Sequence, residues 1–219
     1  MNYFAHFFVD HKLGQHEYNT GLLLPDVTRG YVKTFKHNII AANAASLNFH
    51  EGCLAHYRAD KLFHGSQFFA DMLAMSNAEI NQAKFSEALS RKWFLAHIMA
   101  ELLIDRILIK QEPDLLDEFY NSLQQINDGQ LLDFLNDYEI KDSPKFFEFF
   151  NHFRKVQYIR YYTDNNKFVY SLNRIMIRAG VGAMSDADLI ILQEVCVKLE
   201  TILLSNTPDL INKLKQSVQ

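Results

Sequence analysis

Nine histidines stand among the 219 residues, seven of them before residue 65. Two groups share a spacing of four with acids. His56, Asp60 and His64 fall in HYRADKLFH, and His97, Glu101 and Asp105 fall in WFLAHIMAELLIDRILI. Residues four apart lie on the same side of a helix, so each set reads as a polar stripe. The second stretch, Trp93 to Ile109, is otherwise apolar except for Arg106. Ionised groups in a low-dielectric interior are costly unless partnered, so that stripe calls for water, a basic side chain or a metal ion. Two facing stripes would gather six side chains. Imidazole and carboxylate form the donor set of Mn²⁺, Fe²⁺ and Zn²⁺ sites. A polar line on a half-exposed helix is the plainer alternative, but such lines usually carry Lys, Gln, Ser and Glu, whereas these six positions hold only His, Asp and Glu.

The elements that would carry these residues read as helices. Four prolines and eight glycines in the whole chain favour long helices over many short strands. The length suits one domain spanning residues 1–219, and the 48% hydrophobic share suffices for a core. The fold class is an all-α single-domain bundle. Residues 2–11 form a helix with Phe4, Phe7 and Phe8 on its buried side and His6 beside that side. A polar stretch follows, then an apolar run into Pro25 and Asp26, where spacing alone makes Asp26 a cap or turn acid. Helical patterns occupy roughly 38–64 (with small residues from Ala41 to Ser46 allowing a close neighbour), 67–75, the central stretch, 114–126 and 129–137. Ser143-Pro144 opens another helix, running through KFFEFFNHFRKVQYIRYY. Residues 164–178 form the next, and Ser185 with Asp188 caps the last strong one, Ile190 to Leu204. The segment 76–83 reads as a connector, and the tail beyond Pro208 as frayed.

Charge and sorting signals narrow the functional classes. The net charge of −4 argues against a general nucleic-acid binder. The apolar N-terminus lacks a basic n-region and a cleavage site, and no apolar run reaches the ~18–20 residues of a spanning helix. Cys53 and Cys196 have no CxxC partner and read as buried thiols in a reducing compartment. The expectation is a cytoplasmic protein with no membrane or nucleic-acid partner. His11, His16, His37 and His50 have no geometric partner in the pattern and read as ordinary surface or loop residues.

MNYFAHFF, GLLLPDVTRGYV, GCLAHYRAD, and YIRYY with LNRIMIR occur in that order. Together they resemble the acyl carrier protein phosphodiesterase family, nearly end to end at low identity. The resemblance implies an all-helical fold related to a distorted HD domain and a divalent metal, Mn²⁺ before Fe²⁺ or Zn²⁺. It implies hydrolysis of the phosphodiester between 4′-phosphopantetheine and a serine of holo acyl carrier protein. His6, Asp26, His56 and Asp60 match family positions near the metal centre. The chain departs from the family at His64, where a second Asp is usual, and at His97, Glu101 and Leu102, where the family carries a D-xxx-DH element. On this reading His6, Asp26, His56, Asp60, His64 and Asp105 are metal candidates. Glu101, His97 and Arg29 are catalytic candidates, for base and charge-stabilising roles. An acidic carrier protein calls for a basic docking face, for which Arg154, Lys155, Arg160, Arg174 and Arg178 are candidates; the same residues also read as solvated faces. Two other classes stay open. One is a related metallohydrolase acting on a nucleotide or another phosphoester; the other is a non-catalytic helical interaction protein.

Overall fold

Helix caps and glycine turns divide the chain. In the computed structural model, which describes residues 1–36, 43–86, 89–206 and 209–218, every regular segment is helical. The helices, in chain order, are α1 (Tyr3–Asp10), α2 (His16–Gly21), α3 (Leu24–Val27), α4 (Ala44–His64), α5 (Gln67–Gln82) and α6 (Lys92–Gln111). They continue with α7 (Pro113–Gln124), α8 (Asp128–Asn136), α9 (Ser143–Val156), a 3-10 turn (Tyr158–Thr163), α10 (Asn165–Arg178), α11 (Asp186–Asn206) and α12 (Leu210–Gln216). The all-α class is therefore observed. None of the described helices is long and apolar enough to cross a membrane.

The central stretch is α6, and it is the axis of the core. Thirteen of its residues are buried, including the run from Leu102 to Ile109. α1, α5, α7, α10 and α11 all pack on it. Arg106 on α6 is buried and donates to Glu200 of α11 (2.9 Å), to the carbonyl of Tyr162 (2.8 Å) and to Asn165 at the start of α10. One buried guanidinium thus ties the second half of the chain to the axis. Lys110 adds a further bond to Glu200.

Several boundaries differ from the sequence expectation, each for a local reason. Residues 16–19, expected as part of a polar stretch, join Thr20 and Gly21 in α2, where Tyr18, Asn19, Thr20 and Gly21 are buried, and α2 packs on α4. α5 continues through the expected connector to Gln82 because Ser76 and Ile80 stay on its buried face. The aromatic helix ends at Val156, where Gln157 takes a left-handed φ of 52°. Its cap is Asp142, whose side chain accepts from the Lys145 N–H, not Ser143. The tail, expected to fray, contains α12 with Leu210 and Leu214 buried. Ser185 and Asp188 cap α11 as expected, and Asp188 also accepts from Ser86. The expected start of α4 near 38, the residues Ala41 and Ala42, and His37 and Pro208 lie outside the described residues.

A close helix approach does occur, at a pair of glycines. Gly21 of α2 and Gly52 of α4 pack backbone to backbone. A Cβ on Gly52 would lie 2.2 Å from the Tyr18 carbonyl oxygen, and one on Gly21 would lie 2.4 Å from that of Phe49. Only glycine fits at either position, and this contact brings the end of α2 against the middle of α4.

Candidate metal centre

The two stripes do not meet as one cluster of six. An α-helix turns 100° per residue, so positions four apart drift by ~40° and positions eight apart by ~80°. Each stripe therefore splits between two directions.

One direction leads to a buried triad. His6 from α1 and His56 from α4 are 1% and 2% exposed, and their rings stack at 3.7 Å with 19° between planes. The glycine contact between α2 and α4 sets the next feature. The Leu22 carbonyl, just past α2, accepts from His56 Nδ1–H at 2.8 Å. That bond fixes the tautomer and leaves the Nε2 lone pair facing Asp60 Oδ2 at 3.8 Å and Asp26 Oδ1 at 4.0 Å. Both separations are too long for a hydrogen bond. His6 Nε2 lies 3.2 Å from Asp60 Oδ1 but off hydrogen-bond alignment, and both ring nitrogens of His6 are buried without a bonded partner among the described residues. Unsatisfied buried imidazole nitrogens beside a carboxylate, with a second imidazole oriented by a backbone carbonyl, form the arrangement of a ligating histidine and its supporting bond. One donor atom each from His6, His56 and Asp60 lies within 4.8 Å of the others. The residues fit a divalent cation.

The electrostatics agree with that fit. Burial pushes His6 and His56 down to about 4, so both rings are neutral, as ligation requires. Burial opposes the charge on Asp60, yet His6, the amino terminus and His56 outweigh it and hold the carboxyl well below its usual range. Asp26 is half-buried and faces the same space. Desolvation pushes it up to about 6, against the pull of His6 and the amino terminus.

The other direction leads to a second triad. His64 Nε2 (2.8 Å) and His97 Nε2 (3.1 Å) both donate to Glu101 Oε1. The two rings stack at 5.5 Å, and Phe69 packs edge-on against both. Burial works against the charge of Glu101, but the bonds from His64 and His97 keep its carboxyl far below the usual range. The Met1 ammonium lies between the triads, donating to Asp60 Oδ1 at 2.6 Å and 3.5 Å from Glu101 Oε1. Burial alone would lower its pKa; Glu101 and Asp60 outweigh burial and raise it.

Asp105, taken from sequence as a metal candidate, belongs to neither group. Its carboxylate is fully buried and accepts the N–H groups of Phe4 (3.2 Å) and Ala5 (2.7 Å) and the Asn2 side-chain amide (2.6 Å). Asp105 therefore caps α1 from another helix, since Asn2 makes no side-chain cap bond of its own. Burial pushes it up to about 7 despite those bonds. Arg29 is exposed beyond α3, and no contact among the described residues ties it to either triad. His50 is buried, not a surface residue, and shares a 2.6 Å hydrogen bond with the Tyr138 hydroxyl. His11 and His16 are partly buried, His11 donating to the Phe7 carbonyl at 3.1 Å.

Of the expected basic face, Arg154 pairs with Asp128 (2.9 Å) and Arg160 with Asp117 (2.6 Å). Lys155, Arg174 and Arg178 are exposed. Lys155 lines an open cavity of about 570 Å³ together with Lys145, His152 and Tyr31.

Sequence reasoning missed three participants. The Met1 amine and the Leu22 carbonyl are backbone groups without a side-chain signature. Phe69 is indistinguishable in sequence from its neighbours in QFFADM. The Gly21 and Gly52 pair was the one available signal for the α2–α4 contact. Compared with protein-family models, with curated proteins and with solved structures, the chain matches none.

Proposed function

We propose that this protein is a metal-dependent phosphoester hydrolase, and that its substrate is the phosphodiester of holo acyl carrier protein. The observation that carries the reading is His56. Its Nδ1 is held by the Leu22 carbonyl while Nε2 faces two carboxylates across a gap too wide for hydrogen bonds. His6, His56 and Asp60 would hold the cation. When bound, a divalent cation polarises a phosphoryl oxygen and acidifies a water. The protein's own groups do the rest. Asp60 lies beside both imidazoles as the anionic member of the set, and Asp26, pushed up to about 6, can take up a proton near neutrality as a general base does. The opening MNYFAH and the ordered Asp26, His56 and Asp60 support assignment to the acyl carrier protein phosphodiesterase family.

One observation favours a second reading, a smaller phosphoester. Arg154 and Arg160, two of the five residues of the basic face an acidic carrier would need, are already paired with acids. Intact-mass analysis of holo acyl carrier protein incubated with the protein and Mn²⁺ separates the two. Conversion to the apo form, abolished by chelator, is expected. Absence of conversion, with Mn²⁺-dependent hydrolysis of a nucleotide phosphodiester instead, would transfer the assignment to the second reading. No hydrolysis of either would sink both.

A further inference from the structure

We infer that His64, His97 and Glu101 form a second divalent-cation site, with ligands distinct from those of the buried triad. The inference rests on this cluster alone and requires no phosphoester substrate.

Three donor atoms from two helices converge, and they are held from outside. His64 Nε2 and His97 Nε2 lie 2.8 Å and 3.1 Å from Glu101 Oε1, and all three atoms fall within 4.8 Å of one another. A tetrahedral ion with bonds of ~2.0–2.1 Å holds its ligand atoms ~3.3 Å apart, so the two imidazole–carboxylate separations need lengthen by only a few tenths of an ångström. His64 Nδ1–H donates to the Asp60 carbonyl at 2.9 Å, so Nε2 is the atom aimed at the shared point, and a cation bound there takes the place of the Nε2 proton, which is released to solvent. Coordinating histidines are commonly oriented by such a bond. Phe69 wedges against both imidazoles, at 4.8 Å and 5.2 Å between centroids, and resists their swinging apart.

Exposure fits a site that exchanges its ion. The side chains of His64, His97 and Glu101 are 33%, 36% and 15% exposed, so the carboxylate is sheltered while the imidazoles open to solvent. Solvent reaches the remaining coordination positions, as in sites that keep an open place for water or substrate. Two imidazoles with one carboxylate oxygen select first-row transition ions such as Zn²⁺, Co²⁺ or Ni²⁺. Mg²⁺ and Ca²⁺ require more oxygen donors than this cluster offers. The Met1 ammonium, 3.5 Å from Glu101 Oε1, is the resident positive charge that an incoming cation must displace or accommodate. Asp60 links the sites, since its carboxylate belongs to one and its carbonyl supports the other.

The test is a Co²⁺ titration of the metal-stripped full chain, followed by calorimetry and by the visible d–d absorption of Co²⁺. Wild type, His97→Ala, Glu101→Gln and His56→Ala are compared, with circular dichroism confirming the helical fold of each. Wild type should take two equivalents. His97→Ala and Glu101→Gln should each lose one by at least tenfold in affinity, and His56→Ala should lose the other. A single equivalent, kept in His56→Ala but lost in His97→Ala, would support this site while removing the buried one. A single equivalent lost only in His56→Ala would overturn the inference and leave the proposed function standing. An isotherm unchanged by His97→Ala and Glu101→Gln, or no binding at all, would also overturn it.

Discussion

Asp105 shows how closely a carboxylate's neighbours decide its role. It shares a helix with Glu101, one turn away, yet Glu101 faces two imidazoles while Asp105 faces the start of α1. An asparagine at 105 would turn an amide NH₂ toward one of those backbone donors. A buried N–H left without an acceptor costs about 1–3 kcal/mol. Asp105→Asn should therefore lower the denaturant-derived stability by about that amount and leave the number of bound metal ions unchanged. A loss of metal would return Asp105 to the ligand set. The regular spacing of His97, Glu101 and Asp105 made all three look alike in sequence. The ~40° drift per four residues separates them, and only the position of α1 reveals what the third one faces.

At the scale of elements, the buried centre depends on α2 reaching α4. The Gly21–Gly52 contact lets the Leu22 carbonyl meet His56, and neither the glycines nor the carbonyl would be chosen as functional from residue chemistry. Gly52→Ala places a methyl group on the Tyr18 carbonyl. Overpacking of this kind costs about 1–3 kcal/mol, and loss of a ligand's supporting bond weakens metal affinity by about 10–100-fold. Melting curves and metal titration of Gly52→Ala should show both effects together; stability lost with unchanged affinity would mean that His56 does not need the Leu22 bond. Long periodic segments were legible in sequence, α6 and α11 above all. Short helices were not. α2 has six residues with only one hydrophobic side chain, Tyr18, among those it buries, and tertiary packing rather than hydrophobic period makes it helical. The break at Gln157 interrupts an aromatic pattern that gives no sign of a left-handed residue.

The whole molecule balances opposing titrations around the centre. His6 and His56, ordinarily near 6.5, titrate about 4. Their contribution to stability is present above pH 6.5 and is lost as pH falls toward 4. Asp26 and Asp105, ordinarily near 3.8, titrate about 6 and about 7. Their contribution runs the other way, full below 3.8 and lost as pH rises through 6 to 7. Two imidazoles and two carboxyls thus offset one another between pH 4 and 6.5. The melting temperature of the metal-free protein should change little across that range. It should fall steeply below pH 4, where the unfolded chain takes up protons that Asp60 and Glu101, both held low, do not yet accept in the folded protein. Asp105→Asn removes one offset, so that variant should lose stability from pH 6.5 downward. A wild-type decline beginning at 6.5 would show that the buried histidines, not the balance, govern the acid response.

On the function proposed above, the His6, His56 and Asp60 triad holds the cation on which hydrolysis depends. Mn²⁺ binding measured by electron paramagnetic resonance, in wild type and in His56→Ala with the Mn²⁺-dependent activity followed in the same samples, tests it most directly. Wild type should show a Mn²⁺ population whose affinity drops at least tenfold in folded His56→Ala, with activity lost in parallel. Unchanged Mn²⁺ affinity in His56→Ala, or activity retained without the bound ion, would contradict it.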